Sequence, residues 1–187
     1  MQIQNGIEAI LEQNPLIPVV KINAVEEVEG ILLHLLAQNI YCIEITLRSE
    51  AAFACIKEAI SIAPKGFSVG VGTIFNSNQV QKCMELGVQF MVSPGATPSL
   101  IRAMQQSDIP FLPGVMTPSE ILNAMELDCF FLKLFPYNLA GGLKALKTYG
   151  QVFSGVKFCP TGGLNADSYE EALDLENVVS VGGSWLV

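Results

Sequence analysis

The sequence predicts an α/β fold, a (β/α)8 TIM barrel formed by one domain spanning residues 1–187, on three observations. Short apolar runs alternate with segments of helical period, and successive runs start about 20 to 27 residues apart, the length of one strand–loop–helix unit. The runs are alike in length and apolarity, with no polar edge strand. The first strand-to-helix turn, Lys21-Ile22-Asn23-Ala24, also lacks the glycine-rich fingerprint of a dinucleotide-binding open sheet. Eight strands alternating with helices admit a closed barrel or an open doubly wound sheet. The last two observations favour the barrel.

In order, the runs are residues 16–20, 40–46, 67–72, 89–93, 109–113, 129–135, 156–160 and 178–182. Residues 24–38, 50–63, 76–86 and 117–127 carry helical period between them. Asn76 before Gln79 reads as an N-cap, and Thr117-Pro118-Ser119-Glu120 as a capping box with proline in the first turn. The chain ends at Val187, directly after the eighth run. That ordering predicts a barrel without its final helix: either the sequence is truncated or residues 5–13 close part of the gap.

Composition narrows the function. Half of the 187 residues are apolar, only 15% are charged and the formal net charge is −8, so a large core is expected and a disordered chain is not. Ten Lys plus Arg with no basic run exclude a broad nucleic-acid surface. An anionic substrate must then be held by local dipoles and a few chosen cations. The start, Met1-Gln2-Ile3-Gln4-Asn5, lacks the pattern of a signal peptide, and no apolar stretch approaches the roughly 20 residues of a membrane helix. Five cysteines without C-x-x-C spacing read as buried thiols in a reducing compartment, which points to the cytoplasm. The one histidine, His34, lies among leucines at helical spacing and reads as a packed helix residue; no metal site is expected.

Two charges stand where strands of such a fold are apolar on both faces. Glu44 lies within Ile40-Tyr41-Cys42-Ile43-Glu44-Ile45-Thr46, and Lys133 within Cys129-Phe130-Phe131-Leu132-Lys133-Leu134-Phe135. With a period of two, Ile43, Ile45, Leu132 and Leu134 face the helices. Cys42, Glu44, Thr46, Phe131, Lys133 and Phe135 face the interior, where Glu44 and Lys133 can meet. A buried structural ion pair and a catalytic pair both fit this pattern. The position of Lys133 near the carboxyl end of its strand favours catalysis. Phe131 and Phe135 disfavour its ammonium form, leaving a free amine to attack a ketone and form an imine, with Glu44 as the proton shuttle.

Other strand ends supply binding groups. Arg48, one of two arginines, follows Glu44 by four residues and suits a carboxylate bidentately. Thr73 closes Gly70-Val71-Gly72-Thr73 and offers a hydroxyl to the same carboxylate or caps a turn. Thr161-Gly162-Gly163 and Gly182-Gly183-Ser184 follow the seventh and eighth runs, a frequent place for phosphate in barrels. Ser93-Pro94-Gly95 and Pro113-Gly114 shape the rim, and Lys157, at the start of its strand, reads as structural or exposed.

Six ordered motifs, Glu44-Ile45-Thr46-Leu47-Arg48, Gly70-Val71-Gly72-Thr73, Ser93-Pro94-Gly95, Leu132-Lys133-Leu134-Phe135-Pro136, Cys159-Pro160-Thr161-Gly162-Gly163 and Gly182-Gly183-Ser184-Trp185-Leu186, span nearly the whole chain. Together they resemble the aldolases for 2-keto-3-deoxy-6-phosphogluconate (KDPG) and 4-hydroxy-2-oxoglutarate (KHG). The resemblance implies a cofactor-free class I carbon–carbon lyase of the Entner–Doudoroff type, a homotrimer. It would cleave 2-dehydro-3-deoxy-6-phospho-D-gluconate to pyruvate and D-glyceraldehyde 3-phosphate. It implies that Lys133 forms the imine and Glu44 is the acid/base. Arg48 and Thr73 would bind the pyruvyl carboxylate. Gly162, Gly163, Gly183 and Ser184 would surround the phosphate, with Phe135, Pro94 and Thr161 lining the pocket and Lys21 adding a cation. Tyr137-Asn138 after the Phe-Pro pair and Met116 after Gly114-Val115 depart from the family pattern, which leaves the aldehyde half open. KHG and 2-dehydro-3-deoxy-6-phosphogalactonate are alternative substrates on the same residues. A non-covalent phosphosugar isomerase or epimerase would leave Lys133 only an ion-pair partner, and a non-catalytic phosphate-binding barrel would tolerate loss of the Glu44 charge.

Overall fold

In the computed structural model, which describes Gln4 and residues 6–187, nine parallel strands form two sheets. The strands are β1 Leu16–Val20, β2 Cys42–Thr46, β3 Ser68–Gly72, β4 Phe90–Val92, β5 Phe111–Leu112, β6 Gly114–Val115, β7 Phe131–Leu134, β8 Lys157–Pro160 and β9 Val181–Gly183. Their order is β5-β4-β3-β2-β1-β9 in one sheet and β6-β7-β8 in the other. Met1, Gln2, Ile3 and Asn5, read above for a leader and for the first helix, lie outside the described residues.

The closed eight-stranded barrel expected from the sequence is therefore corrected to a six-stranded parallel sheet beside a three-stranded one. The reason is local. What reads as one fifth strand breaks at Pro113, which has no N–H to continue a ladder. Beyond it, the Gly114 N–H turns to the Ser93 hydroxyl at 3.3 Å, and Gly114–Val115 pairs with β7. On the other side, the stretches that carry β8 and β9 meet only at the isolated bridges Phe158↔Val178 and Thr161↔Gly182, so no ladder joins the two strands.

Among the described residues the α-helices are α1 Ile7–Gln13, α2 Val28–Ala37, α3 Ala52–Ile62, α4 Ser77–Leu86, α5 Pro98–Gln105, α6 Pro118–Met125, α7 Gly142–Val152 and α8 Tyr169–Leu173. A short 3-10 turn, Val25–Glu27, precedes α2. The Asn76 side chain accepts from the Gln79 N–H at 3.0 Å. The capping box of α6 forms in both directions between Thr117 and Glu120. Thr97 caps α5 by accepting from the Leu100 N–H at 3.2 Å. No helix among these is long and apolar enough to cross a membrane.

Both faces of the strands are buried, but against different partners. Ile43, Ile45, Leu132 and Leu134 pack among the helices in the larger cluster. Ile17, Cys42, Phe90 and Leu112 form a second cluster in the interior, together with Ile7 and Leu11 of α1. Of the two readings of the missing final helix, closure of the gap by residues 5–13 does not match α1, which fills the interior toward the amino ends of the strands. Beside it, the Gln4 amide nitrogen donates to the carbonyls of Phe111 and Phe131 at 3.3 and 2.6 Å. Its amide oxygen accepts from the N–H groups of Phe130 and Phe131, both at 2.8 Å. One side chain thus joins β5 to β7 where no ladder runs. His34 is corrected too: it lies on α2 but is exposed, because its neighbours Leu32 and Leu35 take the buried stripe.

Candidate active site

Lys133 and Glu44 come from different sheets and meet between them. Each sits in a strand interior whose flanking leucines or isoleucines are locked among the helices, so period two aims both charges inward. The Lys133 Nζ donates to Glu44 Oε1 and Oε2 at 3.1 and 3.2 Å. Both residues are nearly inaccessible, at 4% and 3% exposure, and theirs is the only ion pair among the described residues. The Nζ also stands 5.5 Å from the centre of the Phe135 ring.

From Gly70 to its carboxyl end the inward face of β3 is bare backbone, which makes this contact possible. A Cβ on Gly70 would lie 2.2 Å from the Phe90 ring, and one on Gly72 would lie 1.9 Å from Glu44 Oε1. The motif Gly70-Val71-Gly72-Thr73 was visible in the sequence, but not this use of it. Pairing of β3 with β2 at the same inward phase would have been the signal. Cys159, in register opposite Lys133, is another neighbour that pattern reading passed over. Burial pushes its thiol up to about 11, although the Lys133 ammonium pulls it down. Cys159 is therefore a neutral thiol and no competing nucleophile near neutral pH. All five cysteines are free and buried.

The remaining predicted residues stand just past strand ends. Arg48 is exposed, two residues beyond β2, and its side chain makes no ion pair among the described residues. Thr73, directly after β3, holds φ at 66°, an uncommon conformation for a β-branched residue. Pro94 is half-buried, with its carbonyl 2.4 Å from where a Cβ on Gly114 would sit. Lys21 is exposed directly after β1. Neither Arg48, Thr73 nor Lys21 has a side-chain hydrogen bond to the Lys133–Glu44 pair, so the structure brings these to the same strand ends without joining them to it. Lys157 donates to the Glu176 carbonyl at 2.7 Å, a structural role at the opposite end.

The two glycine-rich turns lie side by side through the Thr161↔Gly182 bridge. Thr161 is buried, and its N–H donates to the Leu134 carbonyl at 3.0 Å, tying this turn to the strand of Lys133. Gly162 and Gly163 both have positive φ, 93° and 91°, which a side chain would strain. A Cβ on Gly162 would sit 3.2 Å from the Phe135 ring, so that turn also abuts the aromatic wall beside Lys133. The Trp185 indole covers Gly183, and the Asn138 side chain covers Gly163; a Cβ would meet them at 1.5 and 2.6 Å. Ser184 is exposed. No cluster of three or more His, Cys, Asp or Glu side chains among the described residues is placed to hold a metal ion.

A family model described as KDPG and KHG aldolase matches residues 7–187. The chain is similar to the KHG/KDPG aldolase of Escherichia coli (strain K12), 38% identical over 184 residues, covering 98% of this chain and 86% of that protein. It is equally similar to the 2-dehydro-3-deoxy-phosphogluconate aldolase of Dickeya dadantii (strain 3937), 38% identical over the same shares. Among solved structures, the KDPG aldolase of Legionella pneumophila matches with a TM-score of 0.93 at 39% identity, covering 97% of this chain and 87% of that one. That structure holds pyruvate captured at low pH as a covalent carbinolamine intermediate. The match of family model, relatives and fold over nearly the full length means that the chain belongs to the KDPG and KHG aldolase family.

Proposed function

We propose that the protein is a class I aldolase that cleaves 2-dehydro-3-deoxy-6-phospho-D-gluconate to pyruvate and D-glyceraldehyde 3-phosphate through an imine on Lys133. The buried Lys133–Glu44 pair carries the reading. Proton transfer to Glu44 frees the Lys133 amine to attack the substrate ketone. The Glu44 acid returns that proton as water leaves the carbinolamine, and the imine cation becomes the electron sink. The Glu44 carboxylate then takes the proton of the substrate hydroxyl as the carbon–carbon bond breaks. It gives that proton back to the enamine carbon before water releases pyruvate. The electron pair of the broken carbon–carbon bond is taken up by the imine nitrogen and returned when the enamine carbon is protonated, so this chemistry calls for neither a metal nor an organic cofactor.

Arg48 and Thr73 are assigned to the pyruvyl carboxylate because both stand at the ends of strands adjoining Glu44. The phosphate is assigned to Gly162, Gly163, Gly183 and Ser184, with Phe135, Pro94 and Thr161 as walls. The paired glycine turns and the contact of Gly162 with Phe135 support that placement. The relatives' names support KHG as a second substrate, since it needs the same imine and carboxylate groups. Residues 1–187 acting as one domain, assembly as a homotrimer and residence in the cytoplasm complete the reading.

The test is covalent. Incubation with pyruvate and borohydride should place a reduced pyruvate adduct on Lys133, located by peptide mass spectrometry. An adduct confined to surface lysines, or none, rejects the imine. Cleavage rates with phosphorylated and unphosphorylated 2-keto acids then rank the substrates.

A further inference from the structure

We infer that Gly72 is a positioning residue for the aldol chemistry: its missing side chain is the space that holds the Glu44 carboxylate against Lys133. The inference rests on the function proposed above. In register, the β3 partner of Glu44 is Gly70, and Gly72 pairs with Thr46. Yet the atoms nearest a Cβ on Gly72 are Glu44 Oε1, Cδ and Cγ, at 1.9, 2.6 and 2.8 Å. The Glu44 side chain therefore leans one inward position toward the carboxyl end of β3. In that posture both of its oxygens reach the Lys133 Nζ, at 3.1 and 3.2 Å.

Backbone conformation does not demand glycine at this position; Gly72 is absent from the residues with positive φ. What it demands is room for one carboxylate. The contrast with two other crowded glycines makes the point. At Gly114 an added Cβ would meet the Pro94 carbonyl carbon and oxygen at 2.3 and 2.4 Å, rigid main chain that can yield only by distorting the fold. At Gly70 it would meet the closed ring of Phe90, fully buried in the interior. At Gly72 it meets the far end of a flexible acid, which can swing aside. A methyl group there therefore displaces the carboxylate and spares the fold. Because Glu44 is proposed to move protons at four separate steps, its displacement slows the chemistry.

The test is Gly72→Ala alone and in a Glu44→Ala background, which lacks all three of the atoms nearest to the new methyl. Each protein is followed by its melting temperature, by kcat and KM for cleavage, and by the rate of pyruvate–borohydride trapping. In the otherwise unaltered protein, Gly72→Ala should lower kcat and the trapping rate about 100-fold, the loss expected for a misplacement of about 1 Å. KM should change far less, and the melting temperature should fall by no more than about 10 °C, the loss of one buried pair. In the Glu44→Ala background the same substitution should change the trapping rate by less than about 3-fold. Equal fractional losses in both backgrounds would overturn the inference, as would full activity in Gly72→Ala.

Failure of the function itself looks different, since the unaltered protein would then give no adduct on Lys133. In that case, or if Glu44→Ala does not fold, a crystal structure of Gly72→Ala decides. The inference expects the two-oxygen bond between Glu44 and Lys133 to be lost, and an intact pair refutes it.

Discussion

Toward the amino ends of the strands, the interior is filled by Ile7 and Leu11 of α1 with Ile17, Cys42, Phe90 and Leu112, and it is tied across by the Gln4 amide. Toward the carboxyl ends the same strands present Glu44, Lys133 and Thr161, followed by Arg48, Thr73 and two glycine turns. The difference teaches a division of labour within one interior. Where α1 packs, Gln4 satisfies four backbone groups of Phe111, Phe130 and Phe131, and the surrounding cluster is largely apolar. Toward the carboxyl ends the two buried charges are matched to each other, and the proposed function adds an anionic substrate beside them. Substitutions at the first end should act on stability, and those at the second on turnover.

The sharpest way to break this comparison is Lys133→Met. Turnover should fall on the order of 10⁴-fold or more, because the covalent step has no substitute nucleophile. Cys159 does not replace it, being held neutral by burial. Folding should survive with a loss of up to about 3 kcal/mol, since Glu44 is left buried without its partner. Urea unfolding and a steady-state cleavage assay read the two effects separately. Unfolding without Lys133, or turnover without it, would each show the pair to be structural.

Gln4→Ala tests the other end. Two carbonyls and two N–H groups of β5 and β7 lose their partner. The expected cost is on the order of 3 kcal/mol, water at the amino end compensating part of it. The value of kcat per folded molecule should hold within about 2-fold, since no reacting group is touched. A large fall in kcat at unchanged stability would mean that the two ends are coupled.

Much of the site was legible in the sequence because strand period is a strict rule: a charge between two outward leucines can only point inward. That reasoning found Glu44 and Lys133 and the way they face. It failed where a single side chain overrides a periodic pattern. Pro113 sits in a run that reads as one strand, and period alone gives no weight to its missing N–H, so two sheets were read as a closed barrel. Gln4 and Gly72 were invisible for a related reason. Their importance lies in contacts with strands far along the chain, and neither a polar residue near the start nor a glycine in a strand announces its partner. Helix caps, by contrast, are written within four residues, and Asn76 and Thr117 form as read.

The smallest effect expected is at the α6 cap, outside both ends of the interior. Partial burial tends to raise the pKa of Glu120, but hydrogen bonds from the Met116 and Thr117 N–H groups and the Thr117 hydroxyl outweigh it, and the net shift is downward. A carboxyl depressed in the folded state contributes stability that is present above its unfolded value and is lost as pH falls through its folded one. Thr117→Ala should therefore cost about 1 kcal/mol near neutral pH. That cost should shrink as the solution is acidified below the ordinary glutamate range, where Glu120 is protonated in both proteins. Chemical unfolding at neutral and acid pH measures it. A cost unchanged with pH would mean that the Thr117 hydroxyl acts on the helix alone, through its bond from the Glu120 N–H, and that the carboxylate adds nothing.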